Sequence, residues 1–227
     1  MSSIVFRKKF TKQLILINLF IAISLLGVGS SLLPLLSFLY SNRKSFLLFL
    51  FTSELLVVNC LTFILFLFSQ TNQDELILWH VFLSSLLLCL IFANWGKGVV
   101  MIRRLSLLTS IIILTLFIFI QSTNFWNSNA ALSLYSSILN VVLSILAIVS
   151  IVISYQSSQH YSLFNDKLFL LSAATLIYYG LQLYVISYEY IIRSKVNDLF
   201  FITWPIIQFS TIFYHLILAK SIWKLKS

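Results

Sequence analysis

Charge is what this chain has least of. Only 9% of its 227 residues are Asp, Glu, Lys or Arg, against about 25% in an ordinary soluble domain. Such a chain cannot dress a globule in a solvated surface, which excludes a free-standing soluble domain. Acidic residues number six, too few for the Asp-rich cluster that metal-bound phosphate chemistry needs. Five glycines and two prolines argue against the broken helices of many transporters and against GxxxG seams, leaving continuous helices held together by bulky Leu, Ile and Phe. The two cysteines, Cys60 and Cys89, fall within apolar runs at depths differing by roughly 8 Å on the helical rise. That gap is too wide for a disulfide, and both read as small buried apolar residues.

Motifs are missing as well. HExxH, GxSxG, a P-loop and GxGxxG do not occur. A retinal-type Schiff base needs a lysine deep in the last apolar run, and Lys220 lies at that run's end. The sequence therefore offers no catalytic residue and asks for no cofactor and no metal.

What is present in abundance is hydrocarbon. Hydrophobic residues make up 60% of the chain, and the mean hydropathy is +1.01. Apolar runs of the length a helix needs to cross about 30 Å of lipid recur between short polar breaks. A β-barrel would instead show alternating segments of about ten residues. Seven spans are predicted, near 14–40, 46–69, 76–96, 105–121, 131–155, 168–192 and 199–223. The fold class is all-α: a polytopic transmembrane bundle over 14–223, with a basic N-terminal tail over 1–13 and a basic C-terminal tail over 224–227. The breaks are too short to hide a soluble catalytic or ligand-binding domain. No internal repeat is visible.

The first run begins like a signal peptide, with RKKFTK, then LILINLFIAISLL and GVGS. It continues through SLLPLLSFLY, far beyond an ordinary signal-peptide core, so an uncleaved helix is expected, tilted or kinked near Pro34. Trp79, Trp95, Trp126, Trp204 and Trp223, near span ends or in breaks, fit aromatic belts.

A formal charge of +9 would suggest nucleic acid in a soluble domain. Here the bases flank apolar runs, as expected beside anionic headgroups, so no nucleic-acid partner is expected and membrane lipids are. Arg7, Lys8, Lys9 and Lys12, taken alone, place the N-terminus inside. Counted over all breaks, 6 bases lie on the N-terminal side and 9 on the other, which favours N-outside and C-inside in a plasma or inner membrane.

A few polar residues interrupt the oil. A charge at the bilayer centre costs on the order of 3 kcal/mol on insertion scales, so Glu54 must face protein or water, or be protonated. Depth arithmetic places His215 level with Glu54, which suggests a proton-handling pair; Glu54 bonded to a hydroxyl or carbonyl, with His215 satisfied separately, is the competing expectation. Asn59, Asn140, Gln182 and Gln208 form an amide layer on the other side of the midplane, read as structural glue or as a polar path. At the interfaces, Glu189 and Arg193 are spaced for a same-face ion pair. Asp74, Glu75 and His80 gather near the mouth of the third span without metal-site spacing. The same arithmetic separates His80 from His215 by roughly 15 Å, too far to share one haem iron.

Three functions remain. The foremost is a non-enzymatic sensor or signalling subunit acting through a protein partner or as a homo-oligomer. A channel, transporter or permease subunit lined by Glu54 and the amides is second, and a lipid-modifying enzyme third.

Overall fold

In a computed structural model the structure describes residues 2–41, 45–67, 73–96, 98–122, 129–157, 163–192 and 200–224. Among the described residues there are seven α-helices and no strands: α1 (Ser2–Leu39), α2 (Phe46–Leu67), α3 (Gln73–Trp95), α4 (Val100–Ser122), α5 (Asn129–Ser157), α6 (Lys167–Ile192) and α7 (Phe200–Trp223), with a 3-10 turn at Leu163–Asn165 before α6. All seven contain a stretch long and apolar enough to cross a membrane. The protein is a multi-pass integral membrane protein with an all-α, seven-helix architecture.

Helices are the only open-ended answer available to such a sequence, because lipid offers no partner for backbone N–H and C=O groups. Two boundaries differ from the predicted ones for that reason. The basic residues Arg7, Lys8, Lys9 and Lys12 are part of α1, and Arg103 and Arg104 lie in the first turns of α4. Charge marks where hydrocarbon ends, whereas the helix ends where its backbone bonding ends.

Neighbours in sequence are neighbours in space. Each helix packs on the next, and α1 closes the ring against α7, while α3 also reaches α5. Accordingly 50% of the α3 spanning window is buried, against 22% for α2. The core joins Phe51 and Leu55 of α2, Phe82, Leu88 and Phe92 of α3, and Ile113 and Phe117 of α4 to Leu139 and Leu143 of α5 and Leu171, Tyr179 and Tyr214 beyond. Phe82 and Phe117 stack with centroids 3.9 Å apart, and Trp79 sets its edge on Phe117 at 4.9 Å. Trp79 thus packs α3 against α4 as well as lying near a span end.

The bundle keeps small hydroxyls within its apolar core and presents large apolar side chains outward. Leu25, Leu26, Ile111, Ile118 and Phe119 point outward, while Ser31, Ser85, Ser106, Ser150, Ser172 and Thr175 are buried. Leucine gains nothing by leaving lipid for protein, so packing follows close approach and polar satisfaction. The α5/α6 interface, the most extensive of all, shows this. Ala147 and Ser150 on one helix and Ser172, Ala174 and Thr175 on the other are essentially buried. The scarcity of glycine had pointed to bulky seams, but serine, alanine and threonine do the same work of letting backbones approach. Most hydroxyls return to their own helix: Ser106 donates to the Ile102 carbonyl at 2.7 Å, Ser172 to Leu168 at 2.7 Å and Thr175 to Leu171 at 2.8 Å.

Candidate functional site: an intramembrane carboxylate and two histidines

Glu54 lies three residues after Phe51 and one before Leu55, both core residues, so helical spacing turns its side chain toward the bundle. There it meets His80 of α3. Glu54 Oε1 and His80 Nδ1 are 2.6 Å apart, with side-chain exposures of 11% and 20%. The contact lies at the short end of the hydrogen-bond range. The other carboxylate oxygen, Oε2, is buried with no hydrogen-bond partner among the described residues.

His215 is elsewhere occupied. Its Nδ1 lies 2.9 Å from Ser30 Oγ, and that hydroxyl also lies 2.7 Å from the Gly27 carbonyl. Both contacts are satisfied at once when Ser30 donates to Gly27 and accepts from the His215 Nδ1–H, a neutral tautomer with its lone pair on Nε2. Pro34 prepares the place: its ring removes the N–H that would meet the Ser30 carbonyl four residues back. Beside this contact Gln208 lies against Gly27, where an added Cβ would sit 2.6 Å from Oε1.

Three tyrosines of α6 and α7 pack together in the same part of the bundle. Tyr178 stacks on Tyr214 with centroids 4.7 Å apart and meets Tyr179 edge-on at 4.9 Å. The Tyr178 hydroxyl faces Gln182 and Thr211, and Tyr179 faces Ser84 and Ser85 of α3. Tyr178 and Tyr214 both lie within electrostatic range of Glu54, and His80 within that of His215. The Tyr214 hydroxyl is buried and, like Glu54 Oε2, has no partner among the described residues. Polar groups from α1, α2, α3, α6 and α7 therefore lie within electrostatic range of one another.

Several expectations change. Glu54 pairs with His80 rather than with His215. The depth estimate failed because it centred every helix on one plane and ignored axial stagger and the reach of two long side chains. The roughly 15 Å separation of His80 from His215 falls with it, and so does that argument against a shared haem. His80 leaves the interfacial group, turning inward to Glu54; the side chains of Asp74, Glu75 and Glu189, and all of Arg193, lie outside the described residues. Among the described residues no three His, Cys, Asp or Glu side chains gather as a metal site would require.

The amides go to separate places. Asn59 donates to the Leu55 carbonyl at 2.6 Å on its own helix, Gln182 faces Tyr178, and Gln208 lies on Gly27. Asn140 is 2% exposed, its Nδ2 buried with no partner among the described residues. Sequence reasoning missed Ser30, Tyr178 and Tyr214. The available signal was a serine four residues before a proline, and tyrosines at 178 and 214 far from any span end, where an interfacial belt has no use for them.

Chemically, the Glu54–His80 pair can hold or exchange a proton between two helices, and its charge state alters the field at Tyr178, Tyr214 and His215. No protein family, curated protein or solved structure matches this chain.

Proposed function

We propose that this integral membrane protein is a non-enzymatic sensor or partner-binding subunit whose responsive element is the Glu54–His80 pair. One observation carries the reading: the pair bridges α2 and α3 inside the bundle while Glu54 Oε2 is buried with no partner among the described residues. Most other polar side chains are locked into their own helices, where they stabilise but cannot report. A carboxylate with one satisfied and one orphan oxygen is sensitive to any change in protonation or local hydration. The short connections leave the output to another protein or a second copy.

A channel or permease subunit is the second reading, favoured by the spread of the polar cluster over five helices. Glu54→Gln decides between them, in liposomes and in gentle detergent extraction. Unchanged ion and proton flux with loss of a copurifying protein supports the sensor. Lost flux supports the permease. Lowered unfolding temperature with neither change makes Glu54 structural and overturns both.

A further inference from the structure

Seven spans put the end of α3, the start of α4, the end of α5, the start of α6 and the end of α7 on one membrane face. Nine of the chain's 15 bases belong to that face: Arg43, Lys44, Lys97, Arg103, Arg104, Lys167, Lys220, Lys224 and Lys226. The acids Asp74, Glu75, Glu189 and Asp198 flank the connections at the opposite face. Asp166 is the exception, and it is committed: its Oδ1 accepts the Leu168 N–H at 2.9 Å, capping α6.

Around Asp166 three lysines are held in place. Lys167 Nζ stands 5.8 Å from the Trp95 ring centroid, and Lys220 Nζ 5.8 Å from that of Phe164. Lys224 Nζ donates to Asn165 Oδ1 at 2.8 Å. Ser221 donates to the Lys167 carbonyl at 2.8 Å, pinning the end of α7 to the start of α6. The cation–π contacts hold the Lys167 and Lys220 ammonium groups beside aromatic faces at the end of the bundle. Phe164 is 65% exposed and Trp223 50% exposed, apolar surface beside the charge at headgroup level.

We propose that the α5–α6 turn and the end of α7 form a binding site for the phosphate of an anionic membrane lipid, with Lys167, Lys220 and Lys224 meeting the phosphate and Phe164 and Trp223 the upper acyl chains. The source is a lipid rather than a free anion because aromatic surface adjoins the charge and the whole site lies where a span ends. Each lysine that meets the phosphate strengthens binding by about fivefold.

The test is native mass spectrometry of the full chain extracted from phosphatidylcholine bilayers containing phosphatidylglycerol. Wild-type protein retains phosphatidylglycerol over phosphatidylcholine, K167Q/K220Q/K224Q loses at least about tenfold of that affinity, and R103Q/R104Q on the same face stays within about twofold. Should the triple variant unfold, exposed Lys220→Gln alone is expected to lose about fivefold. Retention equal to wild type in the lysine variants overturns the proposal, as does an equal loss in R103Q/R104Q, which makes the attraction diffuse. Displacement of the lipid by inorganic phosphate assigns the site to a free anion and overturns the lipid.

Discussion

His80 and His215 lie within electrostatic range of one another, and they are held in opposite ways. His80 is bonded to a carboxylate and keeps 20% of its side chain exposed; His215 is bonded to a serine and is 1% exposed. Proton exchange needs a partner that can change charge, and of the two histidines the first has one. The second has a partner of fixed charge inside a closed seam. In the proposed sensor reading His80 is the member on which a signal acts, and His215 ties α1 to α7 through Ser30.

The comparison breaks most visibly at His80→Phe. Losing the imidazole leaves both oxygens of Glu54 in the bundle without a partner, and stripping one member from a buried pair costs about 3–5 kcal/mol. Denaturant unfolding in mixed micelles should show it. The double variant E54L/H80F should recover most of the loss, since replacing both polar partners by apolar groups of similar size is nearly neutral. A cycle in which the two single losses simply add would remove the pair from the argument.

His215→Phe should cost less, about 1–2 kcal/mol, because Ser30 keeps its bond to Gly27 and no charge is stranded. Ser30→Ala should cost about the same or less, and the two together no more than the larger single loss by much, since they remove one contact. If His215→Phe proves as damaging as His80→Phe, the division into a responsive and a structural histidine fails.

Much of this was legible in the residues, and the part that was not has physical causes. Apolar length fixed the seven helices, because hydrocarbon thickness translates directly into residues; helix limits at Ser2 and Val100 escaped, because helices outrun the oil at both ends. Glu54 was conspicuous, because a carboxylate among leucines has no lipid-facing explanation. Its partner was hidden, because pairing depends on how far α2 and α3 slide along each other, and neither pattern nor rise encodes that offset. The α5/α6 seam was readable in SAAT at 172–175 and in Ser144, Ala147 and Ser150, had serine and alanine been given the part usually granted to glycine.

The smallest expected effect lies beside the second histidine. A Cβ at Gly27 would stand 2.6 Å from Gln208 Oε1, an impossible contact if nothing moved. The obstructing atom is the tip of a flexible side chain, and turning it aside costs about 0.5–1.5 kcal/mol. Against this, removing a glycine from a helix returns about 0.5–1 kcal/mol. Gly27→Ala should therefore lie within about 1 kcal/mol of wild type in the same unfolding assay. At Gly96 the added Cβ would meet Ile102 Cγ2 at 2.6 Å and the Phe92 carbonyl oxygen at 2.9 Å, and a backbone atom cannot rotate away, so Gly96→Ala should be the worse of the two. A Gly27→Ala loss larger than that of His215→Phe would mean that the α1/α7 seam rests on backbone contact rather than on the histidine, and His215 would lose its part in the scaffold.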